Sequence, residues 1–263
     1  MIVDGKTIAA EIYEDTRGRV LKSGRTPRLA IITCVPNFET QKYLALKEKK
    51  AAYVGIETIV LELPSTATTG DIVAVIEARV PGSDGIIVQL PLPPQVDTEA
   101  VLRAVPVTHD VDGLNPEVQG ILSPVVGACK AILDHHHIPV RDRHVVIIGA
   151  GRLVGMPAYR WFQDMGAAVS LVTKDTADIA YYTRPADIIV CGAGVPGLLI
   201  PDMVKDGVTI LDAGTSEDGG VLKGDADPLC AEKASLLTPV PGGIGPITIA
   251  VLLRNVVDCM RDA

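Results

Sequence analysis

The chain has 263 residues, 48% hydrophobic and 21% charged, with a formal net charge of -8. That length and balance exclude a disordered chain and leave room for one large domain or two small ones. The acidic surplus argues against nucleic acid as a bulk electrostatic partner, and no apolar run is long enough to imply a membrane partner.

Aromatic residues make up 3%, so the core must be aliphatic. The five cysteines at 34, 129, 191, 230 and 259 are scattered, which fits free thiols in a reducing cytosol rather than a disulfide frame or zinc site. The opening "MIVDGKTIAAEIYEDT" is too polar for a signal peptide, and a cytoplasmic location is expected.

In chain order, short apolar runs at 29–34, 56–63, 85–90, 144–149, 168–173, 187–192 and 208–214 read as strands. They are nearly continuously apolar, as in a parallel sheet covered on both faces. Helical patterns at 40–54, 71–79, 98–104, 124–136, 153–165 and 201–205 lie between them. This alternation predicts α/β architecture. Glycine and proline interrupt it at 113–123 and again at 238–246, giving two α/β domains. The last helix, 247–260, is expected to return to the first domain, and the default ligand site is a cleft.

The helical segment 40–54 contains "YLALKEKK". Tyr43 and Lys47 stand four apart and project from one face. A lysine-rich helix is commonly a solvated face. A second stretch, "GIIVQLPLPP" at 85–94, places Gln89 at the carboxyl end of a buried strand, where open α/β sheets bind ligands. An uncharged amide there can hold a lysine ammonium or a water; it can equally face solvent. "THDVDGLNP" at 108–116 supplies Asp110 and Asp112 beside a glycine, either an ordinary turn or a partner for ligand amino groups.

"HVVIIGAGRLVGMP" at 144–157 is strand, glycine turn and helix, with Gly149, Gly151 and Gly155 in the turn. Such a turn lets backbone approach a pyrophosphate at a helix N-terminus; a tight turn of any α/β fold is the alternative. The next strand ends in "TKDT", where Lys174 would pair a 2′-phosphate and Asp175 would bind a ribose hydroxyl. With Arg152 in the turn, the balance favours NADP; NAD is one alternative, and three solvated surface charges are the other. The histidines of "DHHHIP" point in different directions on a helix, so no metal site is expected.

Together "YLALK", "VQLPLP", "DVDG" and "TPVPGGIGPIT" at 238–248 resemble the methylenetetrahydrofolate dehydrogenase/methenyltetrahydrofolate cyclohydrolase family, the bifunctional FolD enzymes. The resemblance covers essentially the whole chain. It implies a catalytic folate-binding domain, 1–118 completed by 246–263, and a Rossmann-type NAD(P)-binding domain, 119–245. It implies oxidation of 5,10-methylenetetrahydrofolate with NADP+, hydrolysis of the methenyl product to 10-formyltetrahydrofolate, and a homodimer in one-carbon metabolism and purine biosynthesis.

By the same resemblance Lys47 is the key catalytic lysine, Gln89 modulates it, Tyr43 packs along the folate and Asp112 fixes the pterin. Val88, Leu90, Pro241, Gly242, Gly243 and Ile244 line the folate side. Gly149, Ala150, Gly151, Arg152, Lys174 and Thr215 hold the cofactor. Several positions depart from the family pattern. Its Gly, Pro and Ser before the tyrosine become Val35, Phe38 and Thr40. A threonine becomes Pro124, Gly-Arg-Ser becomes Gly149-Ala150-Gly151, and His-Ser becomes Thr173-Lys174. A dehydrogenase without hydrolase activity and a catalytically idle binding module are the competing readings. The "VQLPLP" and "PGGIGP" stretches argue against a shikimate dehydrogenase type.

Overall fold

The computed structural model describes residues 1–35, 38–218 and 221–260. Within the expected stretches, Pro36, Asn37 and the last three residues lie outside it.

The elements in order are α1 (Gly5–Ser23), β1 (Arg28–Cys34), α2 (Phe38–Val54), β2 (Glu57–Leu63), α3 (Thr69–Arg79), β3 (Gly85–Val88), α4 (Thr98–Ala104) and α5 (Pro124–His135). There follow β4 (His144–Ile148), α6 (Gly155–Asp164), β5 (Ala168–Val172), α7 (Ile179–Thr183), β6 (Ile188–Cys191), β7 (Thr209–Asp212), β8 (Ser216–Asp218), β9 (Val221–Lys223), β10 (Leu236–Leu237) and α8 (Ile244–Asp258). All seven expected strands form. The 201–205 helix is a short 3-10 turn at Pro201–Met203.

The chain folds as two compact units. One comprises Ala10–Pro124 with Ile249–Ala263; the other comprises Met1–Ala9 with Val125–Thr248. The opening residues join the second unit because Val3 N–H donates to Leu237 O and Gly5 N–H to Gly242 O, each at 3.0 Å. A Cβ at Gly5 would sit 1.9 Å from Gly243 O, so only glycine allows that approach.

The first unit is built on a parallel sheet of order β2-β1-β3. Its core joins Ala30, Ile32, Ile72, Ile76, Ile86 and Val88. α3 is fixed at its start by a capping box, with Thr68 and Asp71 exchanging bonds. The end of α8 belongs to this unit. Buried Asn255 donates to Val111 O and Leu122 O, each at 2.9 Å, so the returning helix holds the chain on either side of Gly113.

The second unit is a parallel sheet of order β10-β7-β6-β4-β5. Its inner strands β4, β6 and β7 are almost wholly buried, whereas edge strand β5 is only partly so. This explains their continuous apolar sequence. Val146, Ile148, Ile189, Cys191 and Ile210 anchor its core. The strand order reverses between β4 and β6, the point at which such sheets open a ligand crevice.

Candidate active site

The buried stripe of α2 is Leu44, Lys47, Ala51 and Val54. Lys47 therefore occupies a core position of its helix and is only 7% exposed. The solvated-face alternative fails here, although Lys49 is exposed. Lys50 lies over the Tyr13 ring at 4.8 Å.

Gln89 extends the line of β3. Its N–H donates to Ile32 O at 2.8 Å, continuing the parallel ladder and fixing the side chain's origin. Lys47 Nζ donates to Gln89 Oε1 at 2.8 Å, and Gln89 Nε2 donates to Leu90 O at 3.0 Å. The amide is thus aimed with its oxygen on the lysine. Lys47 Nζ also stands 5.6 Å from the centroid of the Tyr43 ring, one turn earlier and 42% exposed.

Burial holds the Lys47 amine below the usual lysine range, and the Asp112 carboxylate opposes that shift. Burial likewise raises the Asp112 carboxyl, and Lys47 opposes it. The two groups hold each other's charge in a region that favours neither.

Asp112 is placed by its neighbour. The buried Asp110 carboxylate accepts N–H bonds from Asp112 at 3.2 Å, Gly113 at 3.0 Å and Asn115 at 2.6 Å. Burial, with the Asp112 charge adding to it, raises Asp110 to about 6 against those bonds. Gly113 has φ +65, and a Cβ there would lie 3.1 Å from Ser123 N. Asn115 Nδ2 closes the loop on Val105 O at 2.9 Å. Of the two aspartates, Asp110 is the turn residue and Asp112 is presented beside Lys47.

The structure therefore brings together Lys47, Gln89, Tyr43 and Asp112, all in the first unit. Val88 is different. Its side chain is 2% exposed and packs in the aliphatic core. Leu90 is half-buried and offers its carbonyl to Gln89. Pro241, Gly242, Gly243 and Ile244 belong to the second unit, where the loop opens α8 and Gly243 N–H donates to Pro239 O at 2.8 Å.

In the second unit β4 runs into Gly149, whose φ is +99. A Cβ on Gly149 would meet Gly192 O at 2.6 Å, and one on Gly155 would meet Gly149 O at 1.9 Å. Both glycines are therefore demanded by backbone approach. Gly151 has only ordinary space at its Cβ position, and Ala150, Gly151 and Arg152 are exposed beside the start of α6. At the end of β5, Thr173, Asp175 and Thr176 form a hydrogen-bonded turn that presents Lys174 and Asp175 to solvent. Thr215 is exposed after β7. The geometry suits a dinucleotide: a tight glycine turn at the switch point, open backbone, and cationic side chains at the turn and at the strand end.

A family model described as the tetrahydrofolate dehydrogenase/cyclohydrolase catalytic domain matches residues 3–112. The NAD(P)-binding domain of the same description matches residues 124–263. The chain belongs to the tetrahydrofolate dehydrogenase/cyclohydrolase family. It is 39% identical over 270 residues to the bifunctional protein FolD of Helicobacter hepaticus, covering 97% of this chain and 94% of that one. The crystal structure of the FolD enzyme of Campylobacter jejuni superposes with a TM-score of 0.95 at 34% identity, covering 98% of each chain. The Trypanosoma brucei FolD structure, complexed with NADP cofactor and inhibitor, gives a TM-score of 0.90 at 30% identity, covering 98% of this chain and 96% of that one.

Two departures from the tetrahydrofolate dehydrogenase/cyclohydrolase pattern have a physical reading. Val35, standing where the family carries glycine, adopts φ +42, so a β-branched residue occupies a conformation that glycine takes without strain. Pro124 opens α5, the helical position where a missing N–H costs nothing. α5 ends at His135, and the His135 and His136 rings pack edge to face at 4.9 Å. Among the described residues no cluster of His, Cys, Asp and Glu gathers as a metal site, and no helix is long and apolar enough to cross a membrane.

Proposed function

We propose that this chain oxidises 5,10-methylenetetrahydrofolate to 5,10-methenyltetrahydrofolate with NADP+, hydrolyses the product to 10-formyltetrahydrofolate, and uses Lys47 as its central catalytic residue. The observation that carries this reading is the buried Lys47 amine bonded to Gln89 Oε1 at 2.8 Å.

A lysine whose pKa is lowered by burial gives up its proton more readily than an ordinary lysine and can accept it back at Nζ. In the hydrolysis, water adds to the methenyl carbon and passes a proton to Nζ. Nζ returns that proton to N5 as the bond from the carbon to N5 breaks, the remaining O–H proton leaves to water as the carbonyl forms, and the formyl group stays on N10, with one proton released overall. Gln89 accepts one N–H of the amine, aiming the lone pair without adding charge. Asp112 opposes the downward shift of the lysine and offers its carboxyl group to the amino groups of the pterin. The exposed Tyr43 ring gives the folate an apolar flank.

When bound, NADP+ supplies the hydride acceptor. For that step the chain's task is placement. Gly149, Ala150, Gly151 and Arg152 would cradle the phosphates, with Lys174 on the 2′-phosphate and Thr215 beside the crevice. Pro241, Gly242, Gly243 and Ile244, with the backbone at Val88 and Leu90, complete the folate contacts in this reading. The same reading makes the protein a cytoplasmic homodimer whose product feeds purine biosynthesis; a monomer by sedimentation would remove the dimer.

The test is Lys47→Met. Cyclohydrolase turnover should fall by a factor of at least about 100, the scale of a lost general acid–base group, while the thermal transition is retained. An unimpaired variant would remove Lys47 from the mechanism.

A further inference from the structure

Two aspartates outside the groups described so far are almost wholly buried in the second unit. Asp212, at the end of β7, is 3% exposed and Asp225, after β9, is 1% exposed. Asp225 Oδ2 accepts the N–H of Ala193 at 2.7 Å and of Gly194 at 3.1 Å, and Oδ1 accepts that of Val195 at 2.8 Å. One carboxylate thus gathers three successive backbone donors.

Asp212 holds the chain that carries it. Its Oδ1 accepts from Gly214 N–H at 2.9 Å and Asp225 N–H at 3.2 Å, and its Oδ2 accepts from Ala226 N–H at 2.8 Å. The neighbouring chain is cut to fit. A Cβ at Gly214 would lie 2.2 Å from the Asp225 carboxylate, and one at Gly224 would lie 2.2 Å from Asp212 Oδ2.

The segment that Asp225 grips is the turn directly after β6. It abuts the glycine turn after β4: a Cβ on Gly149 would stand 3.0 Å from Ala193 Cα. β4 and β6 are neighbours at the reversal of strand order, so the 193–195 turn borders the crevice in which such sheets bind nucleotides. Burying two carboxylates close together is costly, and an apolar pair would fill the same space at lower cost. What the carboxylates add is a fixed backbone at the crevice.

We propose that Asp225 is a positioning residue for the dinucleotide, fixing the Ala193–Val195 turn as one wall of the cofactor crevice, with Asp212 holding Asp225 in place. The inference rests on the NADP+-dependent reading above and extends it to residues that do not themselves reach the cofactor.

The test uses two variants of the full chain. Asp225→Asn replaces one acceptor oxygen with a donor facing a backbone N–H. Gly214→Ala leaves the charge untouched and presses a methyl group onto the carboxylate. Each is assayed for dehydrogenase activity against NADP+ concentration, and for hydrolysis of added methenyltetrahydrofolate, which consumes no cofactor. In both variants KM for NADP+ should rise about tenfold or more, the scale of a lost charge-assisted hydrogen bond, while cyclohydrolase turnover stays within about twofold. An unchanged KM would overturn the proposal. So would a parallel fall of both activities or loss of the fold, since the clamp would then support the unit rather than the turn. If the wild-type chain shows neither activity, the functional reading fails first, and the two failures are told apart.

Discussion

Lys47 stands where a leucine or alanine would complete the buried stripe of α2. A buried ammonium without a full counter-charge costs several kcal/mol, and the chain lightens that cost by favouring the neutral amine and offering it an amide oxygen. The same scale explains Asp110. Its carboxyl is raised from an ordinary 3.8 to about 6. Between those values the folded chain binds more protons than the unfolded one, so this group's contribution to stability falls as pH rises from about 4 to about 6. The fall is up to about 3 kcal/mol, from about two pKa units at 1.36 kcal/mol each. Asn at position 110 cannot titrate. The stability difference between wild type and Asp110→Asn, from urea midpoints, should therefore shift against wild type across that window and be flat above it. A difference independent of pH would show that Asp110 does not titrate there.

At the scale of elements, the strands were legible because their apolar runs are long and bounded. The helix α1 was less so. Its buried residues Ala9, Tyr13, Thr16 and Val20 are spaced as a helix requires, but Gly18 and the surrounding charges dilute the pattern. β10 has two residues and α7 five, too short to carry a period. β8 and β9 form a three-residue antiparallel hairpin of mixed polarity that apolar periodicity does not mark. β5 ends at Val172, directly before the Thr173–Thr176 turn. If the turn after it aims Lys174 at a 2′-phosphate, Lys174→Ala should weaken NADP+ about tenfold while leaving NAD+ little changed, read as the ratio of kcat/KM for the two cofactors. Equal effects would remove the lysine from cofactor selection.

Across the folded chain, the residues proposed as catalytic were legible as types and not as an assembly. Tyr43 and Lys47 share a helix, so their pairing follows from spacing. Gln89 reaches Lys47 only because β3 lies beside β1 and continues its ladder past Val88, a relation between distant segments. The buried Asp212 and Asp225 pair had no sequence motif, although glycines at 214 and 224 mark the close approach once the partners are known. Similarly, the chain's crossing between units depends on tertiary pairing of the first five residues with 237–242, which no local pattern encodes.

In the proposed function one chain performs both an NADP+-linked oxidation and a hydrolysis. The most direct measurement is an absorbance assay with 5,10-methylenetetrahydrofolate and either NADP+ or NAD+, read as the acid-quenched methenyl product, beside hydrolysis of added methenyltetrahydrofolate. Product formation with NADP+ exceeding that with NAD+, together with hydrolysis, is the predicted result. A folded protein silent in both assays would contradict the account and leave a binding module without turnover.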